Sequence, residues 1–116
     1  MQGDRSVDEL LDAIGDERTR TVLAGIARKP GSVKQLTERL DLSQATIYRR
    51  IEILREHDLV EERTLVADDG NHYSVYWTDF AGTMVTLDGD EYDVHVLGEE
   101  DAPDQLQRLA DGFTTD

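Results

Sequence analysis

Cysteine is absent from the chain, which excludes a disulfide framework, a thiolate metal site and a thiol redox switch. Met84 is the only methionine besides the initiator, so side-chain oxidation is a poor general trigger. No apolar run approaches membrane-spanning length, and the N-terminus lacks the apolar core of a signal peptide. A soluble, cytoplasmic protein is expected. Glycine-rich phosphate cradles and nucleophile elbows are also missing. With 116 residues the chain can bury a modest core but not a spacious enclosed pocket.

Histidine is scarce too: His57, His72 and His95 are the only three. On an extended strand Asp93 and His95 share a face, which offers a pair for metal or acid-base work. No third ligand has convincing spacing. A strand with one polar face explains the pair more simply, so neither an enzyme nor a metal site is expected, and no cofactor.

Lysine is nearly absent, at Lys29 and Lys34 only, whereas acids outnumber Lys and Arg by 26 to 12 for a net charge of −14. Taken alone, that balance opposes nucleic-acid binding, because phosphate contacts need cations. Its distribution points the other way. Residues 18–55 hold nine cations against three acids, a net of +6, and residues 64–116 hold thirteen acids against Arg108.

The positive segment contains Ser32 to Val60, which reads as two short helices meeting at a turn. Ser32 and Gln35 form a capping box, and Val33, Leu36 and Leu40 follow at helical spacing. Asp41 must take a left-handed conformation, which Asp tolerates. Ser43 caps the second helix, where Ile47, Ile51 and Leu54 occupy a narrow arc. Ala45, Tyr48, Arg49 and Glu52 therefore point outward. The early residues of such a helix are placed to reach base edges in a major groove. Here they are Gln44, Ala45, Thr46, Tyr48 and Arg49; Gln suits adenine, Arg suits guanine, and Ala or Thr touches a thymine methyl. Arg28, Lys29, Lys34, Arg39 and Arg50 are the candidate phosphate contacts.

Upstream, Met1 to Arg5 reads as a frayed arm. Ser6 and Glu9 form another capping box, with Val7, Leu10, Leu11 and Ile14 on one face up to Gly15. Asp16 caps the next helix, whose Val22, Leu23, Ile26 and Ala27 face inward before Pro30-Gly31 stops it. Downstream the period changes. Leu59 to Val66 and His72 to Trp77 are extended runs joined by a link containing Asp-Gly, a hairpin signal. Four helices followed by this hairpin make an α+β winged helix-turn-helix. The wing tip carries Asp68 and Asp69, so only Arg63, Asn71 and His72 are available there for phosphate, and a weak wing contribution is expected.

The runs LLDAIGDERTRTVLAGIA and GSVKQLTERLDLSQATIYRRIEILREHDLVEER, followed by the hairpin, resemble the ArsR-type winged helix-turn-helix repressors over about residues 10–77. The acidic composition and the appended C-terminal segment are similar to small haloarchaeal members. The resemblance implies a homodimeric DNA-binding transcription regulator. By position it assigns DNA reading to Ser43, Gln44, Ala45, Thr46, Tyr48, Arg49 and Arg50. Asp41 and Asp58 stand where the pattern usually has Gly, and Tyr48 where Ser is frequent. The cysteine clusters or acid and histidine sets of the metal-sensing branch are missing, so metal sensing is not implied.

Thr83 to Leu87 and Tyr92 to Leu97 alternate around a second turn, and a four-stranded antiparallel sheet extending the wing is expected. Pro103 then opens a final helix with Leu106, Leu109, Ala110 and Phe113 as its stripe. Residues 1–82 are thus read as the DNA-binding domain and 83–116 as its extension. Dimerisation falls to the terminal helices, through Val7, Leu10, Leu11, Ile14, Leu106, Leu109 and Phe113. The expected partners are double-stranded DNA, a second copy, and potassium ions bridging acidic groups to phosphates. The alternative is a winged-helix protein-interaction module without DNA reading.

Overall fold

The computed structural model describes residues 2–100, with residues 2–6 described by their backbone alone. Four helices, α1 (Gln2–Gly15), α2 (Glu17–Arg28), α3 (Val33–Leu40) and α4 (Gln44–Glu56), precede four strands. These are β1 (Glu61–Val66), β2 (His72–Trp77), β3 (Phe80–Asp88) and β4 (Glu91–Gly98). The α+β reading with four N-terminal helices and antiparallel hairpins holds. The C-terminal helix expected from Pro103, with Leu106, Leu109 and Phe113, lies outside the described residues. None of the described helices is long and apolar enough to cross a membrane.

Local chemistry sets the helix boundaries. Asp16 accepts from the Thr19 backbone at 2.9 Å and from its hydroxyl at 2.7 Å, so one carboxylate caps α2 and satisfies the buried Thr19. Ser32 and Gln35 exchange the reciprocal bonds of a capping box at the head of α3. Asp41 and Asp58 both take positive φ, 55° and 57°, each ending a helical segment as a glycine would. Two expectations need correction. Helical backbone runs back to Gln2, so residues 2–5 are not a frayed arm and Ser6 lies inside the helix, while Met1 lies outside the described residues. Ala27 is exposed; it sits about 100° from the buried Ile26, and Thr19 takes the inward place instead.

The chain divides into two compact units between Thr78 and Asp79. In the first, α2 is central and packs on α1, α3 and α4, while β2 packs on α2 and α3. Its core is Ala13, Val22, Leu23, Ile26, Leu36, Ile47, Ile51, Leu54, Leu59, Val60 and Tyr76. Full burial of each large aliphatic contributes roughly 1.5–3 kcal/mol. β1 and β2 pair antiparallel, Glu61 opposite Trp77 through Val66 opposite His72. Gly31 adds a further bridge to β2, donating to the Tyr76 carbonyl at 3.2 Å and accepting from its amide at 2.9 Å. The hairpin is thereby tied to the entrance of α3.

The second unit's described part is the β3–β4 hairpin, with Leu87 opposite Tyr92 and Val85 opposite Val94. It is a separate two-stranded sheet, which corrects the expected four-stranded one. The Thr78-Asp79 link is engaged elsewhere. The Thr78 hydroxyl donates to the Leu59 carbonyl at 2.6 Å, and the Asp79 carbonyl accepts from the Glu99 amide at 2.7 Å to close the base of β3–β4. Neither end leads β2 into a ladder with β3. Leu59 and Val60 are likewise core residues ahead of β1.

Candidate nucleic-acid interface

α4 begins at Ser43, whose hydroxyl accepts from the Thr46 amide at 3.1 Å and donates to the Thr46 hydroxyl at 2.9 Å. Both side chains therefore serve the cap. Ile47, Ile51 and Leu54, at 0–1% exposure, anchor the underside of the helix. Gln44, Ala45, Tyr48, Arg49 and Glu52 are exposed on the other side, Tyr48 at 54%. Arg49 makes no ion pair among the described residues. The outward group expected from the helical spacing is thus assembled, with Thr46 half-buried at its edge.

A cleft of about 870 Å³ runs beside this group, between α3, the first turns of α4 and the β1–β2 hairpin. Lys34, Gln44, Tyr48, Tyr73, Ser74 and Tyr76 line it, with Glu38 and Glu62. Glu62 is itself paired: it meets Arg55 at 3.1 Å and accepts from the Ser74 hydroxyl. Burial, and secondarily the Glu62 charge, push the Tyr76 phenol above its ordinary value, so it stays protonated. Tyr73 and Ser74 were not among the expected site residues. Their alternation on β2 marked them as strand, and only the hairpin's fold against α3 and α4 brings them to this cleft.

The expected phosphate contacts separate into groups. Lys34 lines the cleft beside the reading helix. Arg28, Lys29 and Arg39 gather around a different one. Arg50 turns toward α2, with Nη1 3.4 Å from Asp16 and its Nε buried without a partner. Arg50 lies about 60° from Ile47 around the helix, at the edge of the buried arc and away from Arg49. On the hairpin, Arg63 stacks 4.4 Å from the centroid of Trp77, and the Asn71 side chain donates to Asp69 at 3.0 Å. Asp68 and Asp69 are exposed at the tip as expected, and His72 is exposed beside them.

Asp16 is held below the ordinary carboxylate range, chiefly by the Thr19 side-chain and backbone hydrogen bonds, with Arg50 adding a smaller attraction. In the second unit, His95 Nε2 stands 3.5 Å from Asp93. No cluster of three potential metal ligands occurs among the described residues. Of the expected dimerisation residues, Val7, Leu10, Leu11 and Ile14 on α1 are half-buried, and the remaining three lie outside the described residues.

Residues 9–63 match the family described as a helix-turn-helix domain. Among solved structures, reduced HlyU from Vibrio cholerae superposes with a TM-score of 0.52 at 27% identity, over 66% of this chain and 76% of that one. A possible transcriptional regulator from Methanosarcina mazei superposes with a TM-score of 0.53 at 13% identity, over 91% of this chain and 77% of that one. Comparison with curated protein sequences returns no match.

Proposed function

We propose that this chain is a sequence-specific, DNA-binding transcription regulator of the ArsR-like winged helix-turn-helix type. The observation that carries the reading is the two-sidedness of α4: Ile47, Ile51 and Leu54 are buried while Gln44, Tyr48 and Arg49 stand exposed together. The helix-turn-helix match over residues 9–63 and the likeness to HlyU support it. In this account α4 enters the major groove. Gln44, Ala45, Tyr48 and Arg49 read base edges, Ser43 and Thr46 fix the first turn, and Lys34 holds a phosphate. Each correct bidentate pair contributes about 1–3 kcal/mol of discrimination.

Two copies reading a palindromic element need a self-complementary surface. The half-buried apolar face of α1, Val7, Leu10, Leu11 and Ile14, supports such a surface. Occupancy of the element then covers a promoter or recruits the transcription machinery. Asp68, Asp69 and Glu52 are exposed on the reading unit, and potassium ions bridging such groups to phosphates replace the usual release of counterions. Selection of bound sequences from a randomised duplex pool in molar potassium chloride tests the reading. Enrichment of a two-fold symmetric motif is expected, and recovery of unenriched sequence refutes it.

A second reading, a winged-helix interaction module, is favoured by one observation. The wing tip carries acids where phosphate-binding cations would stand, and its Asn71 side chain is bonded to Asp69. An interaction module predicts that Arg49→Ala leaves partner binding intact and that no duplex is preferred.

A further inference from the structure

We propose that the cleft between the C-terminal halves of α2 and α3 is a binding site for a small organic anion, a carboxylate carried on a short apolar body. The cleft measures about 720 Å³, within the usual range for small-molecule sites. Its chemistry is divided. Ala24, Gly25 and Leu40 supply an apolar floor, and Arg28, Lys29 and Arg39 supply the rim. No acid lines it, although the chain has 26 acids to 12 Lys and Arg. Three cations over an apolar floor, in so acidic a molecule, select an anion and leave room for its hydrocarbon part.

The floor is closed by close helix packing. A Cβ added at Gly25 would stand 2.9 Å from Leu40 Cδ1 and 3.0 Å from Cδ2, so α2 and α3 touch directly beneath the cleft. Arg39 is positioned by its own chain: Nη1 donates to the Lys29 carbonyl at 3.0 Å. That bond uses one of five guanidinium donors and leaves an edge for a carboxylate to accept two parallel bonds. None of the three cations has an ion-pair partner among the described residues.

This cleft is distinct from the one beside the reading helix, with which it shares no lining residue. Arg39 lies about 140° around α3 from Lys34, so a duplex seated on Lys34, Gln44 and Tyr48 meets a different face. A phosphate contact would also leave the floor of Ala24, Gly25 and Leu40 without a purpose. The ligand reaches α3, which is joined to the reading helix by the short turn Asp41 to Ser43 and packs against it. The site is therefore placed to act as an effector pocket.

The test is direct and uses no DNA, so its outcome is independent of the DNA-reading proposal. The full ¹⁵N-labelled chain is titrated at constant ionic strength with sodium hexanoate, hexan-1-ol or inorganic phosphate. Saturable amide shifts at Ala24, Gly25, Arg39 and Leu40 are expected with hexanoate, and binding at least about ten-fold weaker with the alcohol and with phosphate, each lacking one half of the recognition. Arg28→Gln and Arg39→Gln should each weaken hexanoate about ten-fold. Arg28→Gln, at an exposed residue whose side chain makes no bond to the backbone among the described residues, guards against a folding defect in the other variant. Equal affinity for hexanoate and hexanol, or for hexanoate and phosphate, overturns the proposal. So do the absence of saturation and shifts centred on Lys34 and Tyr48. Hexanoate binding unchanged in both variants overturns it as well.

Discussion

Arg49 and Arg50 are neighbours in sequence and point to different tasks. Arg49 is exposed on the outer side of α4, whereas Arg50 approaches Asp16 at 3.4 Å. Arg49→Ala is expected to cost about 1–3 kcal/mol in affinity for the selected duplex and to relax preference at one base pair, measured by fluorescence anisotropy. Asp16 carries a pH prediction. Its pKa is lowered in the folded state, first by Thr19, so the cap's stabilisation is fully present above the ordinary carboxylate value. It is lost as pH falls through the lowered folded value. Acid unfolding of Asp16→Asn, followed by circular dichroism, should therefore show a flatter acid limb than wild type, and an unchanged limb would contradict the assignment. Much of this scale was legible beforehand. Caps at Asp16, Ser32 and Ser43 and the left-handed turns at Asp41 and Asp58 depend on adjacent residues only. The approach of Arg50 to Asp16 was not legible, because a cation at the edge of a buried arc meets a carboxylate 34 positions away, which no local pattern reveals.

At the scale of elements, the three helix starts after Gly15 rest on side-chain caps. Ser32→Ala removes one half of a reciprocal box and is expected to cost about 1 kcal/mol in urea unfolding. It should leave the recognition surface of α4 chemically unchanged. Ile51→Ala, at a position 1% exposed, should cost roughly 2–5 kcal/mol because a cavity opens under the helix. The hairpins were visible from alternation and turn residues, His72 to Trp77 with its observed bounds. Their pairing was less visible. The expected sheet of four strands fails at Thr78-Asp79, whose backbone and hydroxyl bond to Glu99 and Leu59. The Gly31–Tyr76 bridge was missed for the same reason, since hydrogen bonds between distant segments leave no periodic trace.

For the whole molecule, charge is the governing quantity. A chain of net charge −14 repels a phosphate backbone, yet its cations concentrate in residues 18–55. Ordinary DNA binders lose affinity steeply as salt rises. Here the dependence on potassium chloride is expected to be flat or positive, since added cations screen Asp68, Asp69 and Glu52 against phosphate. A steep conventional loss between low and high salt would contradict cation bridging. Size in solution is the second quantity at this scale. Light scattering in molar potassium chloride should return twice the chain mass of 13.1 kDa, and a monomer at all working concentrations would rule out the homodimer.

The outward face of α4 is tested most directly by one comparison, made on a duplex recovered by selection with the wild-type protein. Affinities of wild type, Arg49→Ala and Arg50→Ala are measured side by side in molar potassium chloride, with folding checked by circular dichroism. Reading by the exposed face predicts a loss of about ten-fold or more for Arg49→Ala and near-wild-type affinity for folded Arg50→Ala. Equal affinity of Arg49→Ala and wild type, or a loss confined to Arg50→Ala, would contradict it.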